Sequence, residues 1–267
     1  MISISNLNAG YYTADILRDI SLQINKGDFM GIIGPNGSGK TTFLRVLSRS
    51  LKPRQGLIML NGRETARMEL KEFCRQAAFV AQDTAVNFSF SAFEIVLMGR
   101  IPHQKRLSWQ TKEDLAAAHE AMILTDTETL KDKQINELSS GERQRVFIAK
   151  ALAQEPTVLF LDEPTSHLDI GHQIQILDML KTLNRDKKLT IVIIMHDLNL
   201  AAEYCNRLVL LDKGKIFAAG SPETVLTYQT IESVYKTVVV VDKNPINNKP
   251  YVLLVSRTDK CPGRQVK

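Results

Sequence analysis

Nowhere in its 267 residues does the chain carry an apolar run long enough to cross a bilayer. The longest, such as "TVLFL" (Thr157 to Leu161) and "IVIIM" (Ile191 to Met195), have the length of strands. The start, "MISISNLNAGYY", has neither a basic n-region nor a long apolar core, which argues against a secretory signal. Cysteine is scarce: Cys74, Cys205 and Cys261 are odd in number, far apart and without a CxxC pair. That excludes a disulfide framework and a zinc site built on cysteine pairs, and it suits a reducing cytoplasm. An excess of one charge is missing from the body. The net +5 lies entirely in residues 236 to 267, where seven Lys or Arg face Asp242 and Asp259, so residues 1 to 235 balance. A nucleic-acid binder would show a basic face in its folded body, so nucleic acid is not expected as a partner. The basic tail, 257 to 267, reads as a solvated segment, with contact to an anionic membrane surface as the alternative. No repeat or low-complexity segment is evident.

What the chain does have is an alternation of strand and helix signals, long enough for one domain with an insertion. "ISISNL", "LRDISLQI" and "DFMGII" read as strands, the last running into the glycine-rich "GPNGSGKT" and then the helix "TTFLRVLSRSL". "GLIMLNGRE" predicts a hairpin turning at Asn61-Gly62, residues 66 to 76 a helix, and "AAFVAQD" a strand ending at Gln82. From about 84 to 153 the character is mostly helical, including "KEDLAAAHEAMILTD". The strands "TVLFLDEP", "TIVIIMHD" and "RLVLLDKG" then alternate with the helices "GHQIQILDMLKTLN" and "LNLAAEYC", which predicts a mostly parallel core sheet. "SPETVLT" opens a further helix with Ser221 as N-cap and Pro222 in its first turn, and "TVVVV" and "YVLLV" close the chain as β-rich runs.

The chemistry sits at strand ends. In "GPNGSGKT" and the threonine after it (Gly34, Pro35, Asn36, Gly37, Ser38, Gly39, Lys40, Thr41 and Thr42), glycines let backbone N–H groups curl round phosphate oxygens. Lys40 supplies a point charge to the β- and γ-phosphates, and Thr41 offers a hydroxyl to magnesium. Asp162 and Glu163 end an apolar strand, where ligands bind in open α/β sheets. Asp162 is the expected magnesium ligand, and Glu163 the residue that orients or deprotonates the attacking water. His196 ends the next strand and is expected at the γ-phosphate, a structural histidine being the alternative; Gln82, at another strand end, would sense the magnesium or the water. A second anion site is suggested by "LSSGERQRV", where Ser139, Ser140 and Gly141 begin a helix and leave backbone N–H groups at its positive end. "NKGD" (Asn25 to Asp28) matches the guanine-reading pattern of GTPases but lies before the phosphate loop, and it reads as a β-turn. Tyr11 or Tyr12 is the candidate to stack on a purine, with plain packing as the alternative.

In their order, "GPNGSGKT", Gln82, "LSSGERQR", "LDEPTSHLD" and "MHD" resemble the nucleotide-binding subunit of ABC transporters over residues 1 to about 235. That resemblance implies an α/β fold: a P-loop NTPase (RecA-like) core, an N-terminal antiparallel β subdomain and a helical insertion. It divides the chain into a core at 1–83 and 154–235, a helical subdomain at 84–153 and a C-terminal extension at 236–267. It also implies that two copies stack head to tail, so that Ser139, Ser140, Gly141 and Glu142 of one meet the ATP held by the other, with Asp169 at the seam. Tyr11 aligns with the family's adenine-stacking aromatic, with Tyr12 kept open beside it. ATP and Mg2+ are the implied cofactors. The implied partners are a second copy, integral membrane permease subunits docked on the helical insertion with Gln82 as hinge, and, indirectly, an extracytoplasmic substrate-binding protein. "FEIVLMGRIPH", "HDLNLAAEYCNRLVLLDKGKIFAAGSPETVLT" and "NPINNKPYVLLV" further resemble importer ATPases for iron-siderophore, haem or cobalamin uptake, at the cytoplasmic face of the membrane. An importer of another substrate such as a metal ion, and a soluble ABC ATPase acting on ribosome or DNA, are the alternatives. The latter usually needs a second cassette or a long coiled-coil insertion.

Overall fold

Alternation within single strands sets the layering. The computed structural model describes residues 1–12, 14–82, 89–104 and 110–256. In chain order the elements begin with β1 (Ile2–Tyr11), β2 (Ala14–Ile24), β3 (Phe29–Ile33), α1 (Lys40–Leu47), β4 (Gln55–Leu60) and β5 (Arg63–Glu64). They continue with α2 (Leu70–Gln76), β6 (Ala77–Val80), α3 (Ala92–Leu97), α4 (Lys112–Leu124), α5 (Ser140–Leu152) and β7 (Val158–Leu161). The last are α6 (Ile170–Lys187), β8 (Thr190–Ile194), α7 (Leu198–Tyr204), β9 (Arg207–Asp212), β10 (Lys215–Gly220), α8 (Pro222–Val225), α9 (Tyr228–Tyr235), β11 (Val239–Lys243) and β12 (Pro250–Leu254).

A six-stranded sheet of order β10-β9-β3-β8-β7-β6 is parallel except at β10. The parallel strands β3, β7 and β8 are apolar on both faces because both are covered, whereas the edge strand β10 is largely exposed. Phe29 and Ile33 of β3, with Ile191 and Ile193 of β8, join one core shared with α3 to α7. Met30 and Ile32, with Val192 and Ile194, join the other, shared with α1 and the antiparallel sheet β2-β1-β4-β5. The C-terminal hairpin β11–β12 is part of the first core through Val239 and Val252. The parallel sheet and the N-terminal antiparallel sheet are as the sequence predicts.

Several boundaries differ, each for a local reason. The first helix stops at Leu47 instead of continuing to Leu51, because Arg49 takes a left-handed backbone (φ 60) and sends its guanidinium to the Met68 carbonyl (3.0 Å) and over the Phe73 ring (5.2 Å). Over 66 to 76 the α-helix begins only at Leu70, since Met68 is extended. The strand expected to reach Gln82 ends at Val80. Strand β10 was not anticipated. Lys213 and Gly214, both at positive φ, make the hairpin turn that creates it, which is the pattern of a two-residue type I′ connection. The start of the helical stretch at 84 and the tail at 257–267 lie outside the described residues.

The helical region is tied to the sheet by a buried cation. Arg100, 5% exposed, donates to Asp114 Oδ1 of α4 (3.0 Å), to the Ala153 carbonyl after α5 (2.7 Å) and to Glu155 (2.6 Å). Burial alone would raise the Asp114 carboxyl; hydrogen bonds from Thr111 and from Arg100 outweigh it and hold it below the ordinary carboxylate value. Arg100→Met is expected to cost about 3–5 kcal/mol in denaturant unfolding, because it strands a buried carboxylate. With a folded-state pKa below the unfolded one, Asp114 contributes fully above the unfolded value and loses that contribution as pH falls through the folded one. The acid-induced fall in stability should therefore be shallower in Arg100→Met than in the wild type.

Candidate functional site

Parallel strands deliver their carboxyl ends to one sheet edge, and the residues singled out at those strand ends converge there. Ile33 ends β3, and the loop from Gly34 to Gly39 turns into α1. Gly34 (φ 146) must be glycine: a Cβ would stand 2.3 Å from the Leu211 carbonyl oxygen. Helices α3, α4, α5, α6, α7 and α9 each have a side-chain cap, whereas α1 begins at Gly39 with none. Its first N–H groups are left to an anion. Within the loop, Ser38 is 2% exposed and its hydroxyl has no partner. Lys40, also buried, donates to the Gly34 (2.9 Å) and Pro35 (3.1 Å) carbonyls. Burial pushes its ammonium pKa down, opposed by the charges of Glu163 and Asp162.

From β7, Asp162 is 3% exposed and accepts a hydrogen bond from the Thr41 hydroxyl at 3.3 Å. Burial pushes this carboxyl up; the Thr41 bond opposes the rise and the Glu163 charge adds to it. Thr41 and Asp162 are hard oxygen donors suited to magnesium. Among the described residues no group of three His, Cys, Asp or Glu could hold a metal. Two protein oxygens would leave the rest of such an ion's ligands to phosphate and water, and the partnerless Ser38 hydroxyl adds a free oxygen in the same loop. The residues present therefore fit magnesium with a nucleotide.

Glu163 turns out of the strand in a left-handed conformation (φ 50). One carboxylate oxygen accepts from Gln82 Nε2 at 2.8 Å, and the other stands 2.5 Å from His196 Nε2. Gln82, Glu163 and His196, separate in sequence, form one bridge across β6, β7 and β8. The stretch from Asn25 to Asp28 is the predicted turn, closed by Asp28 N–H to the Asn25 carbonyl (3.2 Å) with Gly27 at φ 80. Tyr11 ends β1 half-buried, and its hydroxyl accepts from Arg45 of α1 (3.1 Å). Tyr12 next to it is fully exposed at φ 50.

The second helix end is built differently. Ser139 caps α5, its hydroxyl accepting from the Glu142 N–H (3.3 Å), while the Glu142 carboxylate accepts from the Ser139 N–H (2.9 Å) and hydroxyl (2.8 Å). Glu142 is thus engaged within its own helix end, and these bonds from Ser139 hold its carboxyl below the ordinary value. Gly141 lies against the ring of His172, where a Cβ would come within 2.4 Å. That imidazole is fixed by Asp169, which caps α6 through the His172 N–H (2.9 Å) and meets Nδ1 at 2.7 Å. His172 was missed in the sequence, although its spacing of three from Asp169 on a helix start was a usable signal. Tyr235, the last residue of α9, was not singled out either; burial pushes its phenol up to about 12, with the Gly34 backbone opposing the rise.

Among the described residues no helix is long and apolar enough to cross a membrane. The profile of the ABC transporter family matches residues 17–166. The ferric enterobactin transport ATP-binding protein FepC of Escherichia coli (strain K12) is 39% identical over 252 residues, covering 94% of this chain and 93% of its own. A chain from a transporter assigned to the metal-chelate type, in an inward-facing conformation, superposes with a TM-score of 0.85 at 28% identity, over 96% of this chain and 98% of its own. A bacterial ABC transporter cassette with a dimeric structure, MJ0796, superposes with a TM-score of 0.72 at 29% identity, over 83% and 99%.

Proposed function

Since the chain belongs to the ABC transporter family as an ATP-binding subunit and ATPase, we propose that it powers an importer of a metal-chelate ligand. The FepC likeness supports an iron-siderophore; haem and cobalamin-type ligands are the alternatives. The observation that carries the ATPase chemistry is the Glu163 carboxylate held between Gln82 and His196, beside the pair of Thr41 and Asp162.

ATP enters with its phosphates in the uncapped loop before α1, where Lys40 exchanges the Gly34 and Pro35 carbonyls for β- and γ-phosphate oxygens. Tyr11 is the better candidate for the adenine, being anchored through its hydroxyl to Arg45 of the same helix that begins at the phosphates. Thr41 and Asp162 would hold magnesium together with the nucleotide, and the ion would supply neutralisation of the charge on the γ-phosphoryl. Glu163 accepts a proton from the attacking water, or orients it, with Gln82 and His196 fixing its two oxygens. Ser139, Ser140 and Gly141 of a second, head-to-tail copy close over the γ-phosphate, with Asp169 near the seam. Closure on ATP and reopening after hydrolysis is then a shift between two states.

The membrane partners are permease subunits docked on the helical region, with Gln82 as the hinge, which places the chain at the cytoplasmic face. Co-expression with a multi-span membrane subunit from the same transport system should yield a stable complex in detergent, with ATP hydrolysis stimulated several-fold when that complex is reconstituted with a loaded binding protein. Retention on ribosomes or DNA instead would overturn the importer reading.

A further inference from the structure

Between β8 and α7 lie only Met195, His196 and Asp197. Met195 is pinned to the sheet by its N–H on the Ile32 carbonyl (3.1 Å). Asp197 caps α7, accepting from the N–H groups of Asn199 (2.8 Å) and Leu200 (2.9 Å). The direction in which His196 leaves the sheet is therefore set by where α7 points. A helix of seven residues does not fix its own direction; what it packs on does.

That support is shared: Ala201 and Ala202 pack into the core and the Tyr204 hydroxyl donates to Asp178 of α6 (2.8 Å), while the C-terminal hairpin holds the first turn, next to His196. The Asn199 carboxamide pairs with both backbone groups of Val252: the Val252 N–H donates to Oδ1 at 2.7 Å, and Nδ2 donates to the Val252 carbonyl at 3.2 Å. A carboxamide offers donor and acceptor side by side like a peptide group, so Asn199 acts as a one-residue strand on the free edge of β12. At the far end of α7 the Glu203 carbonyl accepts from Lys249 and its carboxylate from Asn247. Residues 247 to 252 thus grip the first and the last turn of the helix. Val252 is in turn buried in the core that runs beneath the sheet.

We propose that Asn199 is a positioning residue: by fixing α7 to the C-terminal hairpin it holds the His196 imidazole at the Glu163 carboxylate. The proposal rests on the ATPase reading above. Releasing the first turn of α7 lets His196 drift, and a displacement well under 1 Å breaks a 2.5 Å contact. Losses of up to about a hundredfold follow from 1 Å misplacements in active sites.

The test uses the full chain with Asn199→Ala and Asn199→Asp. In ATPase assays Asn199→Ala should lower kcat about tenfold with KM for ATP within about twofold of wild type, the signature of lost orientation with binding intact. Asn199→Asp, which keeps the acceptor for the Val252 N–H, should fall between the two. The second readout needs no turnover. The ring 1H–13C cross-peak of His196, assigned by its loss in His196→Gln, should move in Asn199→Ala towards its position in Glu163→Gln. Wild-type kcat together with an unmoved His196 cross-peak, even at a lowered Tm, would make Asn199 merely structural and overturn the proposal. A wild-type chain that hydrolyses no ATP would instead sink the ATPase reading, while the cross-peak still decides the role of Asn199.

Discussion

Replacing Glu163 with Gln is expected to lower kcat for ATP by at least about a hundredfold, the usual scale for loss of a positioned general base. ATP affinity should stay within a few-fold of wild type. The argument is that the substitution keeps shape and most contacts while removing basicity. The new amide oxygen can still accept from Gln82 Nε2, and its NH2 can donate to a neutral His196, so the bridge between β6, β7 and β8 survives. The phosphate loop, Lys40 and the pair of Thr41 and Asp162 are untouched. With closure intact and reopening blocked, ATP should convert the variant to a lasting dimer on size-exclusion chromatography. Turnover close to wild type would show that another group takes the water's proton.

How far the sequence foretells this site depends on whether a residue's placement follows from strand order. Gly34 to Thr41, Asp162, Glu163 and His196 each follow an apolar run directly, and parallel pairing of β3, β7 and β8 must carry them to one edge. The alternation within β3, with Phe29 and Ile33 in one core and Met30 and Ile32 in the other, is likewise hidden in "FMGII" only until both faces are known to be covered. What pattern does not reveal is backbone reversal and long-range side-chain contact. The left-handed turn at Glu163 aims its carboxylate at both Gln82 and His196, and no propensity asks a glutamate for φ 50. Asn199 reaches Val252, from an element far away in sequence whose docking is decided by tertiary packing. The free helix end inferred for Ser139 to Gly141 is only partly free, because a glutamate three residues on from the capping serine closes a capping box.

The capping box makes the second large prediction sharper. Lys40 and the pair Asp162–Glu163 interact with one another within the chain, whereas Ser139 and Gly141 face Glu142 and His172. If the two half-sites are completed by a second copy, damage to each must be repairable by the other. Lys40→Ala removes the phosphate cation, and Ser139→Arg fills the mouth of α5 with a long side chain and removes its cap, the latter costing about 1 kcal/mol of stability. Each variant alone should lose at least about a hundredfold in ATPase activity, since a preorganised charge or donor at the reacting phosphate is removed from both sites of the dimer. Mixed in equal amounts and allowed to exchange, about half of the dimers pair one variant with the other. Each such dimer has one site joining the intact phosphate loop of the Ser139→Arg chain to the intact α5 end of the Lys40→Ala chain. Activity should return towards about a quarter of the wild-type level, vary with the mixing ratio and peak at equal amounts. Dilution below the dimerisation range should abolish it. A mixture no more active than its components would mean that Ser139 serves the nucleotide of its own chain, or none.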